Sequence, residues 1–168
     1  MIWRWLPWLL SFGGARPGDI LEATGDDFLH VKTVNDEEIR YILLKGRTVL
    51  PWHMSIHSGL VQMGLLDKAL PKKSRPFFDG TGPSSTADEI FARYRRKLNS
   101  MKLIPDEVPL VSGLRNNFAS KSDRYGGKPE LIPFLMGRSL PPSEYNDGSG
   151  QLRASSQAVA KLPIPVVT

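Results

Sequence analysis

Apolar residues in the first stretch fall at Trp5, Trp8, Leu9 and Phe12, the spacing of a helix with one buried face, and Gly13 and Gly14 mark its end. Pro17, favourable in a first helical turn, opens a second helix, so Arg16 sits at a tight junction between the two. The pattern then changes period. Asp27 to Val34 and Glu38 to Leu44 mix β-branched, aromatic and polar residues on either side of the turn formers Asn35 and Asp36, which predicts a β-hairpin. Gly46 permits another turn with Lys45 beside it, and Arg47 to Leu50 supply a short third strand that Pro51 ends.

Helical spacing returns from His53 to Leu66, with a stripe of Ile56, Leu60, Met63 and Leu66. The stretch from Pro71 to Ser85 is rich in Pro, Gly and Ser and predicts a surface loop. Thr86 and Glu89 have the spacing of a capping box, and Ile90, Phe91, Tyr94, Leu98 and Met101 mark the apolar face of the helix that follows. Leu114 to Tyr125 predicts a further helix closed by Gly126 and Gly127, Pro129 to Met136 a short one ended by Gly137, and Gln151 to Lys161 a last one. There is no internal repeat. The expected fold is mainly α with a small antiparallel β-sheet near the N-terminus, in one domain spanning residues 1–168.

Composition narrows the partners. The 22 Lys and Arg against 17 Asp and Glu leave a net charge of +5, which favours polyanions without demanding nucleic acid. Absence of cysteine excludes a disulfide framework, a thiolate nucleophile and cysteine metal sites, and is compatible with a reducing compartment. Trp3 to Phe12, with Arg4 as the one positive residue at its start and Gly14 and Ala15 after, loosely imitates a secretory signal, but Pro7 interrupts the run and its periodicity suits a core helix. No apolar run is long enough to span a bilayer, so no membrane partner is expected. His53 and His57, four apart, could share a metal on a helix, yet no third ligand stands at a supporting spacing, and neither metal nor other cofactor is expected. Gly13-Gly14 and Asp147-Gly148-Ser149-Gly150 lack the context of a nucleotide loop and read as turns. Arg93, Arg95, Arg96 and Lys97 lie largely off the apolar face of their helix, placed to meet DNA phosphates, although such runs are commonly plain solvated faces.

Four blocks carry a family resemblance: Gly14-Ala15-Arg16-Pro17-Gly18-Asp19, Arg47-Thr48-Val49-Leu50-Pro51-Trp52-His53, Ser112-Gly113-Leu114-Arg115, and Leu135-Met136-Gly137-Arg138-Ser139 leading to Tyr145. In this order they resemble the catalytic domain of the tyrosine recombinases, the phage integrase family, over nearly the whole chain. The resemblance implies a DNA recombinase that cleaves and rejoins strands through a covalent phosphotyrosine, with Tyr145 as nucleophile and no cofactor. Arg16 and Arg115 match the two guanidiniums that hold the nonbridging phosphate oxygens, where charge accumulates. Lys45 best matches the hairpin lysine that protonates the leaving hydroxyl, with Lys32 as the alternative.

Two positions depart from the family pattern. Ser112 stands where His or Lys is usual, and Arg138 where His or Trp donates to the phosphate; serine does not exchange a proton near neutrality and arginine does not act as a base. The resemblance also implies DNA as partner, self-association as a tetramer on DNA, a cytoplasmic, DNA-associated location, and a mobile-element or phage origin. Family members carry an N-terminal domain that closes around the DNA, and the resemblance implies that residues 1–168 correspond to the catalytic domain alone, without it. Singly, each residue has a plainer role: Arg16 satisfying carbonyls at a helix junction, Arg115 pairing with Asp19, Tyr145 packing half-buried. Two other functions stay open, a noncatalytic DNA-binding or regulatory module of the same ancestry and a small helical interaction protein.

Overall fold

Helix α1 (Ile2–Gly13) accommodates Pro7 and buries Trp5, Leu6, Leu9, Leu10 and Phe12, the stripe its periodicity demands. It packs along α5 (Leu110–Arg124). This computed structural model describes residues 2–33, 36–45, 51–66, 75, 87–102, 109–126, 128–139 and 148–163. The end of α1 is sharp: Gly14 takes φ +66° and its N–H donates to the Leu10 carbonyl at 3.1 Å. A methyl group on Gly14 would lie 2.4 Å from Cδ1 of Phe118, so the position requires glycine for both its backbone and its neighbour. That turn leads directly into α2 (Pro17–Glu22), with Arg16 extended as the residue before it.

A 3-10 turn (Gly25–Asp27) then delivers the chain to the sheet. One oxygen of Asp27, Oδ2, accepts from both the backbone N–H and the hydroxyl of Thr24, each at 2.8 Å. Strands β1 (Phe28–Lys32), β2 (Glu38–Leu44) and β3 (Trp52–Ser55) form an antiparallel sheet in the order β1-β2-β3. The pairs Ile42↔Met54 and Leu44↔Trp52 are buried on one face, where Met54 meets Gly13 at the end of α1. Helix α7 (Gly148–Ala160) packs against β3, and its Ser155 hydroxyl accepts from the Ser55 N–H at 3.3 Å.

Helix α3 (Ser58–Gln62) is capped by His57. The buried His57 ring accepts from the Gly59 N–H through Nδ1 at 3.0 Å and, through Nε2, lies 2.9 Å from the Leu162 carbonyl, an oxygen that only accepts. Its neutral Nε2–H form therefore ties the end of α7 to the start of α3. Helix α4 (Ala87–Ser100) packs on α2 and buries Ile90 and Phe91 in the core. A 3-10 turn (Pro129–Leu131) runs into the short α6 (Ile132–Leu135).

The architecture is thus mainly helical with a small three-stranded antiparallel sheet near the N-terminus, as the sequence predicts. Several elements differ in detail. The expected helix from His53 gives way to β3, because Trp52 and Met54 alternate with His53 and Ser55 and bury directly opposite Leu44 and Ile42. The third strand follows Pro51 rather than preceding it, and Arg47 to Leu50 lie outside the described residues. Helix α5 starts at Leu110, not Leu114, which puts Ser112 inside its first turn. Gly148 to Gly150 open α7 instead of forming a turn. Met101, expected on the apolar face of α4, lies beyond its end and is 56% exposed. Thr86 of the expected capping box, Gly46 and the stretch Pro71 to Ser85 apart from Arg75 lie outside the described residues. Among the described residues no helix is long and apolar enough to cross a membrane.

Candidate functional site

The end of α6 sets up the site. Gly137, at φ +65°, donates to the Phe134 carbonyl at 2.8 Å, and the Arg138 N–H donates to the Pro133 carbonyl at 2.8 Å. This paired arrangement stops the helix and leaves the Met136 carbonyl available. The same glycine lets the Trp52 ring approach, since a methyl there would lie 2.8 Å from it. The loop after α6 is therefore fixed against β3.

Arg115, one turn into α5 beyond Ser112, reaches across to both helix ends. Its Nε donates to the Gly14 carbonyl at 2.9 Å and an Nη to the Met136 carbonyl at 3.2 Å. Carbonyls at helix C-termini carry partial negative charge, so a half-buried guanidinium is held there by charge as well as geometry. Burial pushes the Arg115 pKa down, and the neighbouring positive charges of Arg138 and Arg16 push it further; Asp19 acts in the opposite direction. Three guanidiniums from the α1–α2 junction, α5 and the loop after α6 thus share one electrostatic neighbourhood, with Asp19 as the carboxylate acting on Arg115. Arg16 is partly buried and Arg138 exposed. A like-charged group of this kind is costly to assemble and is relieved by a bound anion, for which planar guanidinium forks are suited.

Asp19 also lines a pocket of about 150 Å³ with Glu22, Asp27, Leu43, Lys45 and Arg75. There the Lys45 ammonium meets Oδ1 of Asp27 at 2.9 Å. Burial pushes the Asp27 carboxyl pKa up, but hydrogen bonds from the Thr24 backbone, Lys45 and the Thr24 hydroxyl outweigh it and hold the group below the usual carboxylate range. Lys32, the alternative to Lys45, is an exposed residue paired with Asp36 at 2.9 Å in the hairpin turn.

The remaining sequence-predicted residues fall as follows. Tyr145 lies outside the described residues. The exposed Ser112 hydroxyl donates to the Pro109 carbonyl at 3.4 Å. Arg93, Arg96 and Lys97 are exposed on α4, whereas Arg95 is partly buried and engaged with a neighbour. His53 and His57 do not share a helix: the first sits on β3 and the second caps α3 with both ring nitrogens occupied. Among the described residues no group of His, Cys, Asp or Glu is arranged to hold a metal ion.

Sequence reasoning missed Asp27 as a fixed carboxylate, although the spacing Thr24-x-x-Asp27 carries the signal of a local cap. It also missed that Arg115 is anchored by main-chain carbonyls, which no side-chain pattern announces. Compared with known proteins, the chain matches no family model, no curated protein and no solved structure.

Proposed function

We propose that this chain is a DNA strand cleaving and rejoining domain of the tyrosine recombinase type. Arg16, Arg115 and Arg138 clamp a phosphodiester, Tyr145 attacks its phosphorus, and Lys45 protonates the leaving deoxyribose oxygen. The observation that carries the reading is electrostatic: Arg16 and Arg138, from two other parts of the chain, both bear on the Arg115 guanidinium, whose Nε and Nη are anchored at two helix ends. Two guanidiniums around one phosphate neutralise the charge that accumulates on the nonbridging oxygens during attack. The basic face of α4 supplies further phosphate contacts through Arg93, Arg96 and Lys97. In this reading the chain works on DNA as a self-associating assembly, in the cytoplasm and at its DNA target.

The test is incubation with a nicked DNA half-site followed by a denaturing gel. A protein–DNA adduct that survives denaturation supports cleavage, and its absence with DNA binding intact removes the catalytic part.

One observation favours a second reading, a noncatalytic DNA-binding module with the same clamp. The Ser112 hydroxyl is directed to the Pro109 carbonyl within its own helix turn, and Arg138 is a donor without a basic lone pair. Phosphate binding is retained in such a site while proton transfer is weakened.

A further inference from the structure

We infer that Asp27 is the positioning residue for Lys45, holding its ammonium in the pocket it shares with Asp19 for proton delivery to the leaving oxygen. This rests on the recombinase reading and adds to it a residue that the family pattern did not single out in this chain.

Both Thr24 bonds fall on Oδ2 of Asp27, at 2.8 Å each, so Oδ1 is left to Lys45 at 2.9 Å. The Asp27 side chain is 7% exposed and the Lys45 side chain 71%. One partner is thus rigid and the other is a solvated four-carbon arm with many rotamers. An ion pair in which the lysine is this exposed adds little stability. Its effect is positional: it confines an otherwise wandering ammonium to one wall of the 150 Å³ pocket. The confined ammonium shares its pocket with Asp19, the carboxylate whose charge also bears on the Arg115 guanidinium.

The chemistry uses that placement in one step. As the Tyr145 oxygen bonds to phosphorus, the bond from phosphorus to the deoxyribose oxygen breaks. The phenol proton passes to solvent, and Lys45 gives its proton to the leaving oxygen, becoming an amine that is reprotonated from solvent. An ammonium already held beside the site supplies that proton without first losing rotamer freedom.

Asp27→Asn tests this without removing the Thr24 contacts, since an amide oxygen still accepts both. Adduct formation by the parent, Asp27→Asn, Lys45→Ala and the double variant is timed on two DNA half-sites. One carries the natural leaving oxygen; the other carries sulfur there, a leaving group that departs without a proton. On the oxygen substrate Lys45→Ala is expected to slow cleavage about a hundredfold and Asp27→Asn about tenfold, with no further loss in the double variant. On the sulfur substrate all three variants are expected to match the parent. Equal slowing on both substrates by Asp27→Asn overturns the inference and makes Asp27 a structural residue, as does a parent-like rate on oxygen. If Asp27→Asn melts early, Lys45→Ala still decides: slowing on sulfur as well as oxygen overturns proton delivery from this pocket. A parent that forms no adduct with either substrate overturns the recombinase reading itself.

Discussion

The Nε of Arg115 donates to the carbonyl of Gly14 at 2.9 Å, joining the middle of the fold to the turn that ends α1. With the second bond to Met136 at 3.2 Å, one side chain holds two helix ends in register and brings Arg16 and Arg138 alongside. Arg115→Lys keeps the charge but loses the planar fork. It is expected to cost roughly 1.5–3 kcal/mol in chemical denaturation, because a buried carbonyl loses a charged partner. Gly14→Ala is expected to cost roughly 2–5 kcal/mol, combining a strained backbone with a clash against Phe118. Gly18→Ala, where nothing lies within 4 Å of an added methyl, is the control and should melt close to the parent.

A phosphate clamp makes DNA affinity depend on salt in a countable way. Arg138 is exposed and makes its helix-ending bond through its backbone, so Arg138→Ala removes charge without disturbing the fold. Each lost phosphate contact lowers the slope of log affinity against log salt by about 1. Fluorescence titration of duplex DNA at two or more salt concentrations should show that reduction for Arg138→Ala, with weaker binding across unrelated sequences. An unchanged slope would place Arg138 outside the phosphate contacts.

The hydrophobic pattern carried most of the helices because their burial is one-sided: α1, α4 and α7 each keep the periodicity that the core requires. It failed at Trp52 to Ile56, where a period of two runs directly into a period near four and the shared residue Ile56 serves both. Only the pairing of Trp52 with Leu44 and Met54 with Ile42 decides for a strand, and such pairing is a contact between distant segments. The charged residues of the candidate site, Arg16, Arg115, Arg138 and Lys45, were named through the family resemblance, and the first three fall in one electrostatic neighbourhood. The scaffold that holds them was not legible. The carbonyls of Gly14 and Met136 belong to the backbone, which every residue shares, and the Thr24-x-x-Asp27 spacing signals a cap but not that the free oxygen of Asp27 meets Lys45.

His53 gives the fold a pH-dependent weakness. It is half-buried on β3 against Tyr41, with ring centroids 5.2 Å apart, and burial pushes its pKa down while a hydrogen bond with Gln151 of α7 partly offsets this. A depressed imidazole pKa means that the unfolded chain takes up a proton first. This contribution to stability is therefore complete above the ordinary histidine value of about 6.5 and is lost progressively as pH falls from there through the depressed folded value. Melting temperature should drop between neutral and mildly acidic pH in the parent and drop less in His53→Asn. A flat profile in the parent would remove His53 from the account.

The most direct measurement is adduct formation on a nicked DNA half-site by the parent, Tyr145→Phe, Arg115→Ala and Ser112→His. The phenyl ring keeps the bulk of tyrosine and removes the attacking oxygen, so Tyr145→Phe is expected to abolish the adduct. Arg115→Ala should lower it at least about a hundredfold, the usual effect of losing one preorganised donor to a developing charge. Ser112→His restores an imidazole to the position and is expected to raise a slow parental rate modestly. An adduct that persists in Tyr145→Phe would contradict the assignment of the nucleophile. No adduct from either the parent or Ser112→His, with folding and DNA binding intact, would contradict the catalytic reading and leave the noncatalytic DNA-binding module.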